Sequence, residues 1–108
     1  MIPLTITTRQ AATGPVLEVA GDLDHATAPA LRRAVEALGL TAGQVLVVDL
    51  AGLDFCDSSG ITALLAARNL TSEQGTGMVL ASVPENTARI LGIVGLDRVF
   101  TILPSAPA

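Results

Sequence analysis

Residues 45–65 read VLVVDLAGLDFCDSSGITALL. Val45-Leu46-Val47-Val48 is continuously apolar, the pattern of a strand covered on both faces in a parallel sheet, and it is the expected central strand. From Ser59 onward the apolar residues Ile61, Leu64, Leu65 and Leu70 fall at helical spacing, which predicts a helix ending before Gly75. Asp57-Ser58-Ser59-Gly60 therefore sits at a strand-to-helix junction. The first turn of a helix has unpaired N–H groups and a partial positive charge, so it favours an anion carried by a side chain or a ligand. Ser58 is on that ground a candidate for reversible phosphorylation. Asp and Ser also lead the residues that cap helices, and capping alone accounts for one of them. Two adjacent hydroxyls exceed what one cap needs, and Gly60 leaves little bulk beside them, room for another backbone or an enzyme to approach. Leu53 and Phe55 are expected to pack against the sheet or, if exposed, to form a contact patch beside Ser58. Cys56 reads as a small core residue in preference to a redox thiol.

Toward the N-terminus, Ile2, Leu4 and Ile6 alternate with Pro3, Thr5 and Thr7, and a second run from Val16 to Ala20 follows a turn-rich stretch, predicting a hairpin. Gly21-Asp22-Leu23-Asp24-His25 is expected to break the strand. Thr27 is placed to cap a helix bearing Leu31, Ala34, Val35 and Leu38, closed by Gly39. Toward the C-terminus, Met78 to Val83 reads as a buried strand and Pro84 as the first turn of a third helix that Gly92 or Gly95 ends. Val99 to Leu103 reads as a last strand, and Pro104 to Ala108 as a frayed tail. The order is ββαβαβαβ: an α/β chain, residues 1–108 as one domain, with a mixed sheet and right-handed crossovers. In such sheets reactive groups gather where strands end and helices begin. Asp22 and Asp24 supply a second acidic loop at a strand end. Turn and cap chemistry alone explains each of them, but with both loops on one edge three carboxylates and two hydroxyls would cluster. A metal site there has only weak support from the spacing, and magnesium would more naturally arrive with a nucleotide.

Composition narrows the classes. Six Arg, no Lys and ten acidic residues give a net charge of -4, and the Arg are scattered. With two Phe and no Trp or Tyr, base stacking has no platform, so no nucleic-acid partner is expected. The longest charge-free run, Ala37 to Val48, is 12 residues and holds two Gly, a Thr and a Gln, too short for a bilayer, so no direct membrane insertion is expected. The N-terminus lacks the basic start and apolar core of a signal peptide, and a lone Cys offers no intrachain disulfide, which reads as a cytoplasmic protein. An aspartyl-phosphate receiver needs a Lys that this chain does not have. A serine hydrolase elbow would need Gly where Cys56 stands, and the single His, His25, precedes the Ser and reads as a solvated loop residue. No Gly-rich phosphate loop exists. No catalytic residue and no cofactor is assigned.

Gly21-Asp22-Leu23-Asp24-His25-Ala26-Thr27-Ala28, the strand from Val45 to Leu50, and Leu53 through Ile61 together resemble the STAS domain of bacterial anti-sigma factor antagonists. The resemblance runs through nearly the whole chain. It implies a partner-switching protein that is not itself an enzyme. The unmodified form binds an anti-sigma factor that is also a serine kinase and so frees a sigma factor, phosphorylation ends the binding, and a serine phosphatase resets the cycle. It further implies Ser58 as the phosphorylated residue and a partner-binding surface of Asp22, Asp24, Asp57, Ser59 and Gly60. The runner-up is a constitutive STAS interaction subunit, such as the small component of a lipid transporter, without phosphorylation. Intrinsic nucleotide hydrolysis ranks third, since neither a phosphate loop nor a general base is evident. Members commonly continue into a C-terminal helix, whereas two of the few residues after Leu103 are Pro, so that helix is expected to be short or absent.

Overall fold

The computed structural model describes residues 2–108. The opening alternation forms β1 (Thr5–Ala11), which turns at Ala12-Thr13 into β2 (Gly14–Leu23); the two pair antiparallel from Thr5 opposite Ala20 to Ala11 opposite Gly14. Pro3 lies just before β1, where a missing N–H costs no ladder bond. There follow α1 (Ala28–Glu36), β3 (Val45–Asp49), β4 (Leu53–Cys56), α2 (Ser58–Glu73), β5 (Gly77–Ala81), α3 (Glu85–Ile93), a 3-10 turn at Leu96–Arg98 and β6 (Thr101–Leu103). The expected order holds with one strand more, β4. Pro84 is the cap residue one position before α3, and Gly92 lies inside that helix, so it is Gly95, at φ 78, that reverses the chain after it. Residues 104–108 form no helix.

The sheet runs β1-β2-β3-β5-β6, with β3 central as expected. Only β1 is antiparallel; β2, β3, β5 and β6 are mutually parallel. The expected break after Ala20 does not occur. β2 is long enough to take two partners in turn, β3 along Val16–Glu18 and β4 along Gly21–Leu23. Gly21 makes this possible: at φ +95 it carries no side chain, and a Cβ there would lie 2.1 Å from the Pro3 carbonyl oxygen.

The apolar run of β3 is divided between the two faces of the sheet. Leu46 and Val48 join Leu17, Val19, Leu31, Leu64, Leu80 and Leu91 in the main core between the sheet and the helices. Val47 points the other way, into a smaller cluster with Val16 and Ala81 against which Ala106 packs. The C-terminal segment thus covers the second face instead of fraying. Its Pro107 carbonyl accepts a hydrogen bond from the Arg9 guanidinium, and Ser82 N donates to Leu103 O at 3.2 Å where the segment begins.

Candidate functional site

The pairing of β2 with β4 sets Leu23 beside Cys56, so the two loops that follow, at Asp24 and at Asp57-Ser58, leave the same edge of the sheet. Between Gly21↔Leu53 and Asp22↔Phe55 the register shifts, with Asp54 the extra residue on β4. Such a bulge re-aims the side chains beyond it. Leu53 is buried (7 % exposed), but Phe55 is turned out (51 % exposed) and Cys56 turned into the core. Of the two expectations for this pair, packing holds for Leu53, whereas Phe55 is exposed and lines a cleft with Pro84, Asn86 and Ile90 at α3.

Asp57 follows as the cap of α2, in extended conformation at φ -98, ψ -169. Its carboxylate accepts from Gly60 N at 3.0 Å, and its carbonyl accepts from Ile61 N at 3.0 Å. With the cap supplied by Asp57, both serine hydroxyls are released from that duty. Ser58 is exposed, Ser59 is half-buried, and the Ser58 carbonyl accepts from the Thr62 hydroxyl at 2.9 Å. Gly60 is buried, and a Cβ there would lie 2.6 Å from both Cys56 Sγ and Leu23 O. Its missing side chain admits the chain's own β2 and β4. Of the two expected neighbours, another backbone and an enzyme, the first is what the structure shows, in the Leu23 carbonyl of β2.

The aspartates share an edge, yet each carboxylate is turned onto backbone N–H groups. Asp22 accepts from Ile2 N at 3.1 Å. Asp24 accepts from Ala26 N at 3.0 Å and Thr27 N at 3.1 Å, closing the turn that opens α1. Thr27 holds the cap position without capping: its hydroxyl donates to Asp22 O at 2.8 Å and accepts from Asp24 N at 2.9 Å. Among the described residues no group of His, Cys, Asp or Glu is placed to hold a metal ion. No carboxylate among the described residues lines the groove at Ser58.

What faces Ser58 is a groove of about 370 Å³ between α1 and α2. Ser58, Ser59 and Thr62 rim one side, His25 and Arg32 the other, over small apolar residues such as Ala28, Ala63 and Ala66. Ser59, Thr62, Ala63 and Ala66 recur at helical spacing along one face of α2, as Ala28 and Arg32 do on α1. Sequence reasoning missed Arg32. Its place one turn after Ala28 on the amphipathic α1 was available, but which helix α1 would face was not. Cys56 is a core thiol, as expected, its pKa pushed up to about 11 by burial and, secondarily, by the Asp57 carboxylate.

The fold and this site define a small mixed-sheet α/β protein that displays a serine where its longest helix meets the sheet edge. A family model described as "Mlab, STAS domain" matches residues 6–104, and the chain belongs to the STAS domain family. Among its relatives, an anti-sigma-B factor antagonist of Listeria monocytogenes is 30% identical over 84 residues, 78% of this chain and 74% of that protein. An anti-sigma F factor antagonist of Paenibacillus polymyxa is 30% identical over 88 residues, 81% of this chain and 75% of that protein. The crystal structure of an anti-sigma factor antagonist from Mycobacterium paratuberculosis superposes with a TM-score of 0.78 at 32% identity, covering 95% of this chain and 87% of that one. No helix among the described residues is long and apolar enough to cross a membrane.

Proposed function

We propose that this chain is an anti-sigma factor antagonist switched at Ser58. Unmodified, it binds an anti-sigma factor that is also a serine kinase, which releases the sigma factor. Phosphorylation then ends the binding: the Ser58 Oγ–P bond forms as the bond from the γ-phosphorus to the bridging oxygen breaks, ADP leaves, and the hydroxyl proton passes to the kinase's base. A serine phosphatase restores the hydroxyl by hydrolysis: water bonds to phosphorus, the P–Oγ bond breaks, the serine oxygen takes up a proton, and inorganic phosphate leaves. The observation that carries this reading is the exposed Ser58 at the first position of α2, with capping delegated to Asp57. The names of the relatives at 30% identity support the class of partner.

The chain acts here as substrate and ligand and not as a catalyst. Ser59 and the loops at Asp22, Asp24 and Asp57 edge the surface offered to the partner. A phosphate adds roughly -1.5 to -2 charge, tolerated locally by the helix N-terminus while disrupting a packed contact. A hundredfold loss of binding needs only about 2.7 kcal/mol of differential interaction.

Incubation with the cognate kinase and ATP is expected to add one phosphate to the wild type and none to Ser58→Ala, read by intact mass. Because Asp57 is the cap, Ser58→Ala leaves the helix start whole. A phosphate still present on Ser58→Ala sinks the site assignment. Ser58→Glu is expected to bind the kinase more weakly than Ser58→Ala, and equal affinities refute the charge-based switch. A wild type that takes no phosphate and copurifies with a transport ATPase would be the constitutive subunit instead.

A further inference from the structure

We propose that Arg32, assisted by His25, is the seat of the phosphoryl group on Ser58, so that the modified state is held by an ionic contact across the α1–α2 groove. The inference rests on the reading of Ser58 as the modified residue and adds what becomes of the phosphate once it is there. Arg32 is the cation lining the same groove as the Ser58, Ser59 and Thr62 hydroxyls. Its standing partner is weak: an i,i+4 pair with Glu36 at 3.4 Å, with side chains 71% and 52% exposed. Glu73 of α2 lines an adjoining cleft with Arg32 but forms no ion pair with it among the described residues. A dianionic phosphomonoester offers a guanidinium a bidentate, charge-assisted contact that a surface carboxylate one turn along its own helix does not match. His25 adds a ring N–H donor from the same rim.

The other charged groups around Ser58 do not compete for this role. Asp57 is bonded to Gly60 N, and Asp24 to the amides of Ala26 and Thr27. Arg33, next in sequence to Arg32, does not line the groove. Unmodified, Arg32 and the hydroxyl rim stay open to a partner. Modified, phosphate and guanidinium close on each other and withdraw both from it. The switch then acts by occlusion as well as by repulsion.

The test places phosphoserine at position 58 during translation, so it does not depend on any kinase, and follows the second ionisation of the phosphate by phosphorus NMR, ordinarily near pH ~6. Replacing Arg32 by Ala is expected to raise that pKa by about half a unit, a roughly threefold gain in proton affinity, with the difference from wild type closing at about 1 M salt. Arg33→Ala should titrate like the wild type, and Arg32→Lys should retain most of the wild-type value. Since Arg32 is exposed, its variants should keep the wild-type circular dichroism. Arg32→Ala titrating with the wild type, or Arg33→Ala shifting as far as Arg32→Ala, overturns the seat. Failure of the kinase to modify Ser58 would instead overturn the proposed function and leave this titration unchanged.

Discussion

Gly60 and Cys56 meet at one point, where α2 presses on the ends of β2 and β4. A methyl group on residue 60 would need space now held by a backbone oxygen, Leu23 O at 2.6 Å, which cannot rotate away as a side chain can. Gly60→Ala is therefore expected to lower stability by about 1–3 kcal/mol, measured by urea denaturation, and a variant as stable as wild type would mean that α2 shifts freely. Cys56 predicts a pH dependence. Its thiol is raised from an ordinary value of 9.0 to about 11, so between these limits the folded chain keeps a proton that the unfolded chain has lost. The unfolded state binds fewer protons there, and stability falls as pH rises from about 9 to 11; below that window the contribution is constant. Cys56→Ala should flatten this decline in urea midpoints, and an equally steep decline in the variant would refute the assignment. At this scale the sequence made the hydroxyl pair legible, since Asp ahead of Ser-Ser at a helix start is a local signal. It left the purpose of Gly60 ambiguous, because an absent side chain does not reveal which atoms approach it. Arg32 stayed hidden for a related reason: its importance comes from a helix that begins 26 positions later.

Elements were legible wherever periodicity was regular, and β4 was not because its period is broken. Strict alternation puts Leu53 and Phe55 on one face, yet the extra residue at Asp54 turns Phe55 outward and Cys56 inward. The same bulge delivers Asp57 to the start of α2, so the irregularity that conceals the strand is what aims the site. A difference in stability between the two residues follows. Leu53→Ala should cost about 2–4 kcal/mol, the range for emptying a core position, whereas Phe55→Ala should change stability by under about 0.5 kcal/mol. Urea melts of both variants provide the comparison, and equal losses would show that β4 keeps a regular pleat with both side chains inward.

For the molecule as a whole, the two faces of the sheet are covered by unlike means. The helices bury the main core on one face, and that arrangement was readable from the alternation of apolar runs with amphipathic helices. The continuous run Val45 to Val48 also signalled a cover on the opposite face, but nothing local said what supplies it. Two prolines and small residues made the segment from Pro104 to Ala108 read as frayed. Its value lies in long-range contacts, the packing of Ala106 toward Val16, Val47 and Ala81 and the bond from Arg9 to the Pro107 carbonyl. Removing residues 104–108 should therefore uncover this second cluster. Val16 and Val47 are at most 2% exposed, and partial exposure of two such side chains predicts a loss of about 1–3 kcal/mol, with increased binding of a hydrophobic dye. Arg9→Ala removes only the polar tether and should cost less, because the Glu18 carboxylate 3.6 Å away is half exposed, stays solvated and keeps the Thr7 hydroxyl as a donor at 3.2 Å. The Ser58 junction lies on the helix side of the sheet, so phosphate incorporation by the kinase should persist in the shortened chain. An unchanged urea midpoint after the deletion would show that the segment lies on the sheet without stabilising it.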